Sequence, residues 1–424
     1  MAVAKLQSLT PEVAELPRAR EKELVDQDTT TTYAWADGPT FQPTTSSSSF
    51  RVGCTLDLRG QPLPELTTLP QSLLRLCLSG CEYLVALPTL PANIASINLT
   101  GCRQLIAIVL DGLTRLEKLT LRRCETLTAF ELPCDSIGRP LLARALRNVD
   151  LGQCSSLQAL PRTFGALDCL ERLTLDRCTM MGSHEGSLVL TSLRALDLST
   201  NAEWAVELLP RLSGLAALEV INLSRCPTLV APSDISQVTS LQEIDLSRCN
   251  GLESLPDDLG CLHNLAVLSL LGCSRLPSLP TSLSGLVSLM TLEITGCRAL
   301  VALPESLGEL GALRNLTCRS CSSLAALPTS VAGLVSLRAL DLWGCRELRE
   351  LPTDLGHAAE LRRLNLGGCA ALAALPDLAR LWRLKVIVLD GCYDLKHRAP
   401  NGMLVLKAKA RGMLPDVLRW DYSE

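Results

Sequence analysis

The feature that constrains this chain most is a cysteine that returns at a fixed interval. From Cys249 to Cys369 each step is 24 residues, and thirteen cysteines hold this place in successive copies of one segment. They are Cys81, Cys102, Cys124, Cys154, Cys178, Cys226, Cys249, Cys273, Cys297, Cys321, Cys345, Cys369 and Cys392. Gln61 and Asn201 fill the same place in two further copies, which gives about fifteen repeats. A sustained period of this kind indicates a solenoid, in which each unit packs against its neighbours.

One complete repeat, "LQEIDLSRCNGLESLPDDLGCLHN", runs over residues 241–264. Its first half alternates apolar and polar residues, which predicts a short β-strand. The inward-facing residues are then Leu241, Ile244, Leu246, Cys249 and Leu252. Pro256 ends the strand segment, and Leu259 and Leu262 are spaced for a 3₁₀ or short helical turn. This leucine-rich-repeat pattern predicts an α/β solenoid: a horseshoe with a parallel concave β-sheet and helical turns on the convex side.

The cysteine ladder is predicted to be structural. A thiol is a weak donor and otherwise a small apolar residue that buries well. Equivalent positions on neighbouring strands lie about 4.8 Å apart, which a disulfide can span, so an oxidising compartment would invite mispairing. The ladder therefore favours the cytoplasm or the nucleus. Cys318 and Cys321 form a C-x-x-C pair, for which core packing is favoured over redox chemistry, and no second pair completes a zinc site.

Composition and motifs give no support to catalysis. The formal net charge of −4 argues against a nucleic-acid partner, and no run of 18 apolar residues predicts a membrane span. The chain has no phosphate-binding loop, no nucleophile elbow, no HExxH and no kinase signature. Cys134 lies in an insertion between repeats and is not predicted to be catalytic. We therefore expect a protein that is not an enzyme, with no cofactor and no metal.

Three segments follow from the repeat boundaries. Residues 1–50 are rich in Thr, Ser and Pro and are predicted to be a disordered or weakly helical leader. Residues 51–392 form the leucine-rich-repeat domain, and residues 393–424 are a C-terminal cap or tail, because an exposed last repeat needs a cover. Between Cys124 and Cys154 the step is 30 residues, and the added residues predict a longer convex helix.

Outward-facing strand positions are the candidate contact surface. One such row is polar throughout and often acidic: Asp150, Thr174, Asp197, Asn222, Asp245, Ser269, Glu293, Thr317, Asp341 and Asn365. Arginine precedes the ladder cysteine in several repeats. The residues predicted to bind a protein partner on the concave face are Arg177, Arg225, Arg248, Asp245, Glu293, Arg319, Asp341 and Trp343, since Trp and Arg are favoured at interfaces. The alternative is that these charges solvate the face and pair across strands.

The segments "LPDDLGCLHNLAVLSLLGCSRLPSLP", "LPESLGELGALRNL" and "LRALDLWGCRELRELPTDLG" resemble the repeat region of plant intracellular disease-resistance receptors. They are also similar to cytosolic leucine-rich-repeat proteins of the Ras-scaffold type. The resemblance covers roughly residues 54–392. In such receptors the repeats recognise pathogen or host proteins and hold a nucleotide switch inactive. Because no nucleotide-binding motif accompanies the repeats here, such a switch would act in trans or in a longer product.

The resemblance implies a non-catalytic, monomeric interaction module, a cytosolic scaffold or sensor with defence signalling as its setting. The alternatives are a substrate-recognition subunit of a ubiquitin ligase and a leucine-rich-repeat effector protein.

Overall fold

The computed structural model describes residues 54–64, 66, 69–136, 138–178, 190–398 and 418–419. The predicted leader, residues 1–50, lies outside the described residues, as does most of the predicted cap or tail. The described chain forms one sheet of sixteen strands whose order in space is their order in sequence. Every described pairing between neighbouring strands is parallel, as in the pairing of β10 with β11. This confirms the predicted solenoid with a parallel sheet.

The strands occupy the predicted positions, one in each repeat. They are β1 Cys54–Asp57, β2 Leu73–Cys77, β3 Ser96–Asn98, β4 Lys118–Thr120, β5 Asn148–Asp150, β6 Arg172–Thr174, β7 Ala195–Asp197 and β8 Val220–Asn222. They continue with β9 Glu243–Asp245, β10 Val267–Ser269, β11 Thr291–Glu293, β12 Asn315–Thr317, β13 Ala339–Asp341, β14 Arg363–Asn365, β15 Val386–Val388 and β16 Leu418–Arg419. The last strand pairs with β15 and takes the sheet one strand beyond the expected count.

The core is a continuous stack of leucines between the sheet and the convex side. In the repeat of residues 241–264, each of the five residues predicted to face inward is at most 1% exposed. Burying one leucine is worth roughly 1.5–3 kcal/mol. Each repeat buries its leucines against the repeats before and after it, so the stability of one unit depends on its neighbours.

The convex side is built mostly from 3₁₀ turns, as the three-residue spacing of leucines predicts. These turns are Phe164–Ala166, Leu209–Gly214, Ser233–Gln237, Leu259–Cys261, Thr281–Gly285, Glu305–Glu309, Thr329–Gly333 and Thr353–His357. Within the described residues two α-helices add to them, α1 Ala202–Leu208 and α2 Tyr393–Arg398. The turns pack backbone to backbone: a Cβ atom built on Gly308 would lie 2.1 Å from the carbonyl oxygen of Ser330.

The prediction of a longer convex helix between Cys124 and Cys154 is wrong. The inserted residues form a loop in which Cys134 and Pro140 make an antiparallel bridge. The N–H of Asp135 donates to the carbonyl of Arg139 at 2.8 Å, and turns follow over residues 141–145. Proline has no N–H and clashes with the preceding turn of a helix, so a proline in this segment prevents a continuous helix.

Candidate protein-binding face

The cysteine ladder holds successive repeats together by hydrogen bonds. The thiol of Cys273 donates to the carbonyl of Leu246 in the preceding repeat at 3.1 Å. Asn201, which replaces cysteine once, donates its amide to the equivalent carbonyl of Leu175 at 3.3 Å. Burial raises the pKa of the Cys273 thiol to about 12, so the ladder thiols stay protonated at neutral pH. Sequence reasoning gave the ladder a packing role and missed these bonds between repeats.

The C-x-x-C pair shares this structural role. Cys318 and Cys321 are both fully buried, and both are free thiols, as are the thirteen ladder cysteines. The carbonyl of Cys318 accepts the thiol of Cys345 at 3.0 Å. Burial raises the pKa of Cys318 well above its ordinary value. Both cysteines of the pair therefore belong to the packed interior.

The predicted polar row on the concave face is one register of the sheet. Strand pairing places Asp245 beside Ser269, and Ser269 beside Glu293, and the same alignment runs through the row. Several of its carboxylates serve the backbone, because their side chain accepts the N–H two residues further on. Asp245 accepts the N–H of Ser247 at 2.8 Å, and Asp341 accepts the N–H of Trp343 at 3.0 Å. These members of the acidic row therefore close the turn that follows their own strand.

The predicted arginines before the ladder residue have a strained backbone. Arg177, Arg225 and Arg248 have φ of 55°, 59° and 61°, whereas later repeats carry glycine there, as at Gly272. A left-handed conformation costs a residue with a side chain roughly 1–2 kcal/mol. All three arginines are exposed, and none forms an ion pair with a residue that the structure describes. Their guanidinium groups are therefore accessible to solvent or to a partner.

A groove opens where these arginines give way to glycine. It has a volume of about 610 Å³ and lies along the strand-end edge, beside Gly272 and Gly296. Arg275 and Arg298 line it. Arg275 faces Glu253 at 3.6 Å, with both side chains more than half exposed, so this pair is weak. The groove is open, polar and basic.

An ion pair that sequence reasoning missed crosses the face in the earlier repeats. Arg122 donates two hydrogen bonds to Asp176, at 2.8 and 2.9 Å, although a whole repeat lies between them. Gly152 occupies the equivalent position in that repeat, two residues before the ladder residue, and a Cβ atom there would lie 2.1 Å from Asp176 Oδ1. A glycine in this row could have revealed the crossing side chains.

The same row forms a second cluster in the later repeats. The guanidinium of Arg319 lies 5.5 Å from the centre of the Trp343 ring, and Arg319 Nε is 3.7 Å from Asp341 Oδ2. Trp343 lies two residues past β13 rather than inside the strand, and the residue is 45% exposed. Gly367 leaves room for the indole ring, because a Cβ atom at this position would lie 2.8 Å from Trp343 Cδ1.

Glu293 borders this cluster. Burial, and then the charge of Asp245, raise the pKa of Glu293, while the charge of Arg319 opposes this. The structure thus brings four predicted residues together, Glu293, Arg319, Asp341 and Trp343. It leaves Arg177, Arg225, Arg248 and Asp245 spread over earlier repeats of the same face.

No metal-binding arrangement is present in the described part of the chain, where no group of three His, Cys, Asp or Glu side chains is placed to hold an ion. Among the described helices, none is long and apolar enough to cross a membrane. The described face offers a ligand a polar surface that carries acidic, cationic and aromatic side chains.

Comparison with known proteins identifies the repeats. The family model described as Leucine Rich Repeat matches residues 240–262. The Arabidopsis thaliana protein SUPPRESSOR OF npr1-1, CONSTITUTIVE 1 is 32% identical over 177 residues, which are 39% of this chain and 12% of that protein. Disease resistance protein RPP5 from Arabidopsis thaliana is 31% identical over 191 residues, again 39% of this chain and 12% of that protein. The matched part thus spans about an eighth of these relatives.

Among solved structures, the Leptospira interrogans LRR protein LIC12759 is 21% identical, with a TM-score of 0.46. The match covers 87% of this chain and 95% of that one. The chain has the fold of a leucine-rich-repeat solenoid, and its repeats are similar to those of plant disease-resistance proteins.

Proposed function

We propose that this chain is a non-catalytic interaction module that binds a protein partner on its concave face. The observation that carries the proposal is the cluster of Arg319, Asp341 and Trp343. Tryptophan and arginine are the side chains over-represented at the energetic centres of protein interfaces. Here both project from one row just past the strand ends, and the Arg319 guanidinium lies 5.5 Å from the centre of the Trp343 ring.

The cluster is organised before any partner arrives. The indole lies over Gly367, and the backbone N–H of Trp343 is held by Asp341 at 3.0 Å. A side chain that is already ordered loses little rotamer freedom on binding, so more of its contact energy appears as affinity. Trp343 is 45% exposed, and the exposed part of its ring is apolar area that a partner can cover.

The remaining predicted residues extend the proposed surface toward the earlier repeats. Arg177, Arg225 and Arg248 lie along its strand-end edge, and Asp245 and Glu293 lie in its central row. Charges at the rim of an interface act mainly on association rate and specificity. We assign them this supporting role around the anchor at Trp343.

The setting we propose is defence signalling in the cytoplasm or nucleus of a plant cell, as a monomeric scaffold or sensor. Support comes from the relatives, one of which is named a disease resistance protein. The ladder of free thiols supports a reducing compartment.

Quantitative affinity capture from plant lysate, with the full chain as bait, tests the proposal. Trp343→Ala should reduce recovery of the partner at least ten-fold, since removal of a central anchor costs about 2 kcal/mol or more, a factor of roughly 30 in affinity. The matched control is Trp382→Ala, which removes another exposed, arginine-stacked tryptophan, 64% exposed. An unchanged partner set with Trp343→Ala, or equal losses with both variants, would contradict the proposal.

A further inference from the structure

Four cations stand side by side at the strand-start edge of the later repeats. Arg314, Arg338, Arg362 and Lys385 are each the residue just before a strand, from β12 to β15. A chain of backbone hydrogen bonds joins them: the N–H of Arg338 donates to Arg314, that of Arg362 to Arg338, and that of Lys385 to Arg362, at 2.7–2.8 Å. At about 4.8 Å per strand, this strand-start basic row is roughly 14 Å long.

The same position is neutralised in the earlier repeats. There the residues before β5, β6, β7 and β8 alternate in sign: Arg147, Glu171, Arg194 and Glu219. Arg147 pairs with Glu171, and Arg194 pairs with Glu219, each at 2.5 Å. In the basic row, none of the four side chains forms an ion pair with a described residue. The strand-start edge thus carries alternating, paired charges in the earlier repeats and a run of like charges in the later repeats.

Uncompensated like charges on adjacent strands oppose folding. Like charges directly opposite each other in a sheet are destabilising, whereas opposite charges contribute favourably. Arg314, Arg338 and Lys385 are exposed and Arg362 is half-buried, so solvent reduces this repulsion without removing it. An anion bound along the row would relieve the repulsion of all four cations at once.

We propose that the strand-start basic row binds an acidic segment of a protein partner in extended conformation. This deepens the proposed function and rests on it, because the row borders the face that carries Trp343. An extended peptide advances about 3.3 Å per residue, so four or five residues span the row. Their carboxylates meet guanidinium groups, which pair with carboxylates through two parallel hydrogen bonds.

The face itself argues for a short acidic segment and against a long polyanion. Glu293 and Asp341 lie half-buried in the central row, and the chain carries a net charge of −4. A nucleic acid extending beyond the row would meet these carboxylates and be repelled. A peptide confined to the edge meets the four cations of the row and stays clear of Glu293 and Asp341 in the central row.

Fluorescence anisotropy with the full chain tests the inference. The probe is a fluorescein-labelled peptide of six glutamates, and the reference peptide has six glutamines. At physiological salt we expect the glutamate peptide to bind at least ten-fold more tightly than the glutamine peptide. Arg338→Glu should weaken glutamate-peptide binding at least ten-fold. The same substitution should raise the melting temperature, because it restores the alternating signs found in the earlier repeats.

The matched control is Arg194→Glu, at the equivalent position of an earlier repeat and with the same change in net charge. It should lower the melting temperature by breaking the pair with Glu219 and should leave peptide binding within two-fold of the parent. Equal weakening by both variants, equal binding of both peptides, or tighter binding of a uridine hexanucleotide than of the glutamate peptide would each overturn the inference. Because Trp343 is intact throughout, the result stands apart from the capture experiment above.

Discussion

At the scale of single residues, the ladder cysteine has a structural role and not the reactive role that a repeated cysteine first suggests. It is buried, it is protonated, and it ties its repeat to the one before through a bond to a carbonyl, as Cys297 does with Leu270 at 3.2 Å. Asparagine does the same at position 201. The feature that matters is therefore a small buried donor, and thiol and amide are two ways to supply it.

This burial predicts a specific loss of stability at high pH. The pKa of Cys249, Cys273 and Cys369 is raised from about 9 to about 12 by burial in the folded chain. The folded state keeps these protons while the unfolded chain releases them, so stability is intact below pH 9 and falls as the pH rises toward 12. At pH 10 each thiol should cost on the order of 1 kcal/mol.

Urea unfolding between pH 7 and pH 10.5 measures the slope. A variant with these three cysteines replaced by serine should be less stable at pH 7 and should lose stability more slowly above pH 9. Identical slopes for the two proteins would mean that the ladder thiols do not titrate as their burial requires.

At the scale of elements, the sequence predicts the features that the repeat period sets. It does not reveal contacts that depend on how closely folded segments approach each other. Strand positions and inward residues follow from the alternation around Ile244 and Leu246. The crossing of Arg122 to Asp176 joins residues 54 positions apart, and its local trace in the sequence is the glycine at position 152, under the crossing side chains. Likewise, an arginine at position 248 suggests a contact residue, whereas its left-handed backbone becomes visible only in the folded turn. The added length of the segment around Cys134 predicts a helix, whereas its prolines prevent one.

Close approach on the convex side predicts which glycines are indispensable. Gly308 has no room for a side chain, with a carbonyl oxygen 2.1 Å from its Cβ position, whereas Gly311 in the same stretch has open space around it. Gly308→Ala should lower the free energy of unfolding by about 1–3 kcal/mol, the usual cost of overpacking. Gly311→Ala should be neutral or slightly stabilising, because it restricts the unfolded chain. Thermal denaturation of both variants decides, and a Gly308→Ala protein as stable as the parent would refute this account.

At the scale of the whole molecule, the described strands form an open array with a first and a last strand. A central strand such as β10 pairs on both sides, with β9 and β11, while among the described strands β1 pairs with β2 alone. Stability in such an array is the sum of unit terms and neighbour terms. A core substitution in a central strand and one in the first described strand should therefore change unfolding in different ways.

Leu268→Ala and Leu56→Ala test that difference, since both remove a leucine that is at most 4% exposed. The first should cost about 2–5 kcal/mol and should also lower the urea dependence of unfolding, because the two halves no longer melt together. The second should fray one end and leave that dependence unchanged. Urea titrations followed by circular dichroism give both quantities, and the same effect from both substitutions would argue against neighbour coupling.

The bond between each ladder residue and the repeat before it has a consequence for how such a gene can change. If residues 249–272 were removed, Cys273 would meet the carbonyl of Leu223, which Cys249 now meets at 3.2 Å. The junction would be chemically the same as the one that was lost. Unequal recombination can therefore add or delete whole units while every surviving seam keeps its bonding. The reach of the concave surface becomes a heritable variable that changes in steps of about 4.8 Å.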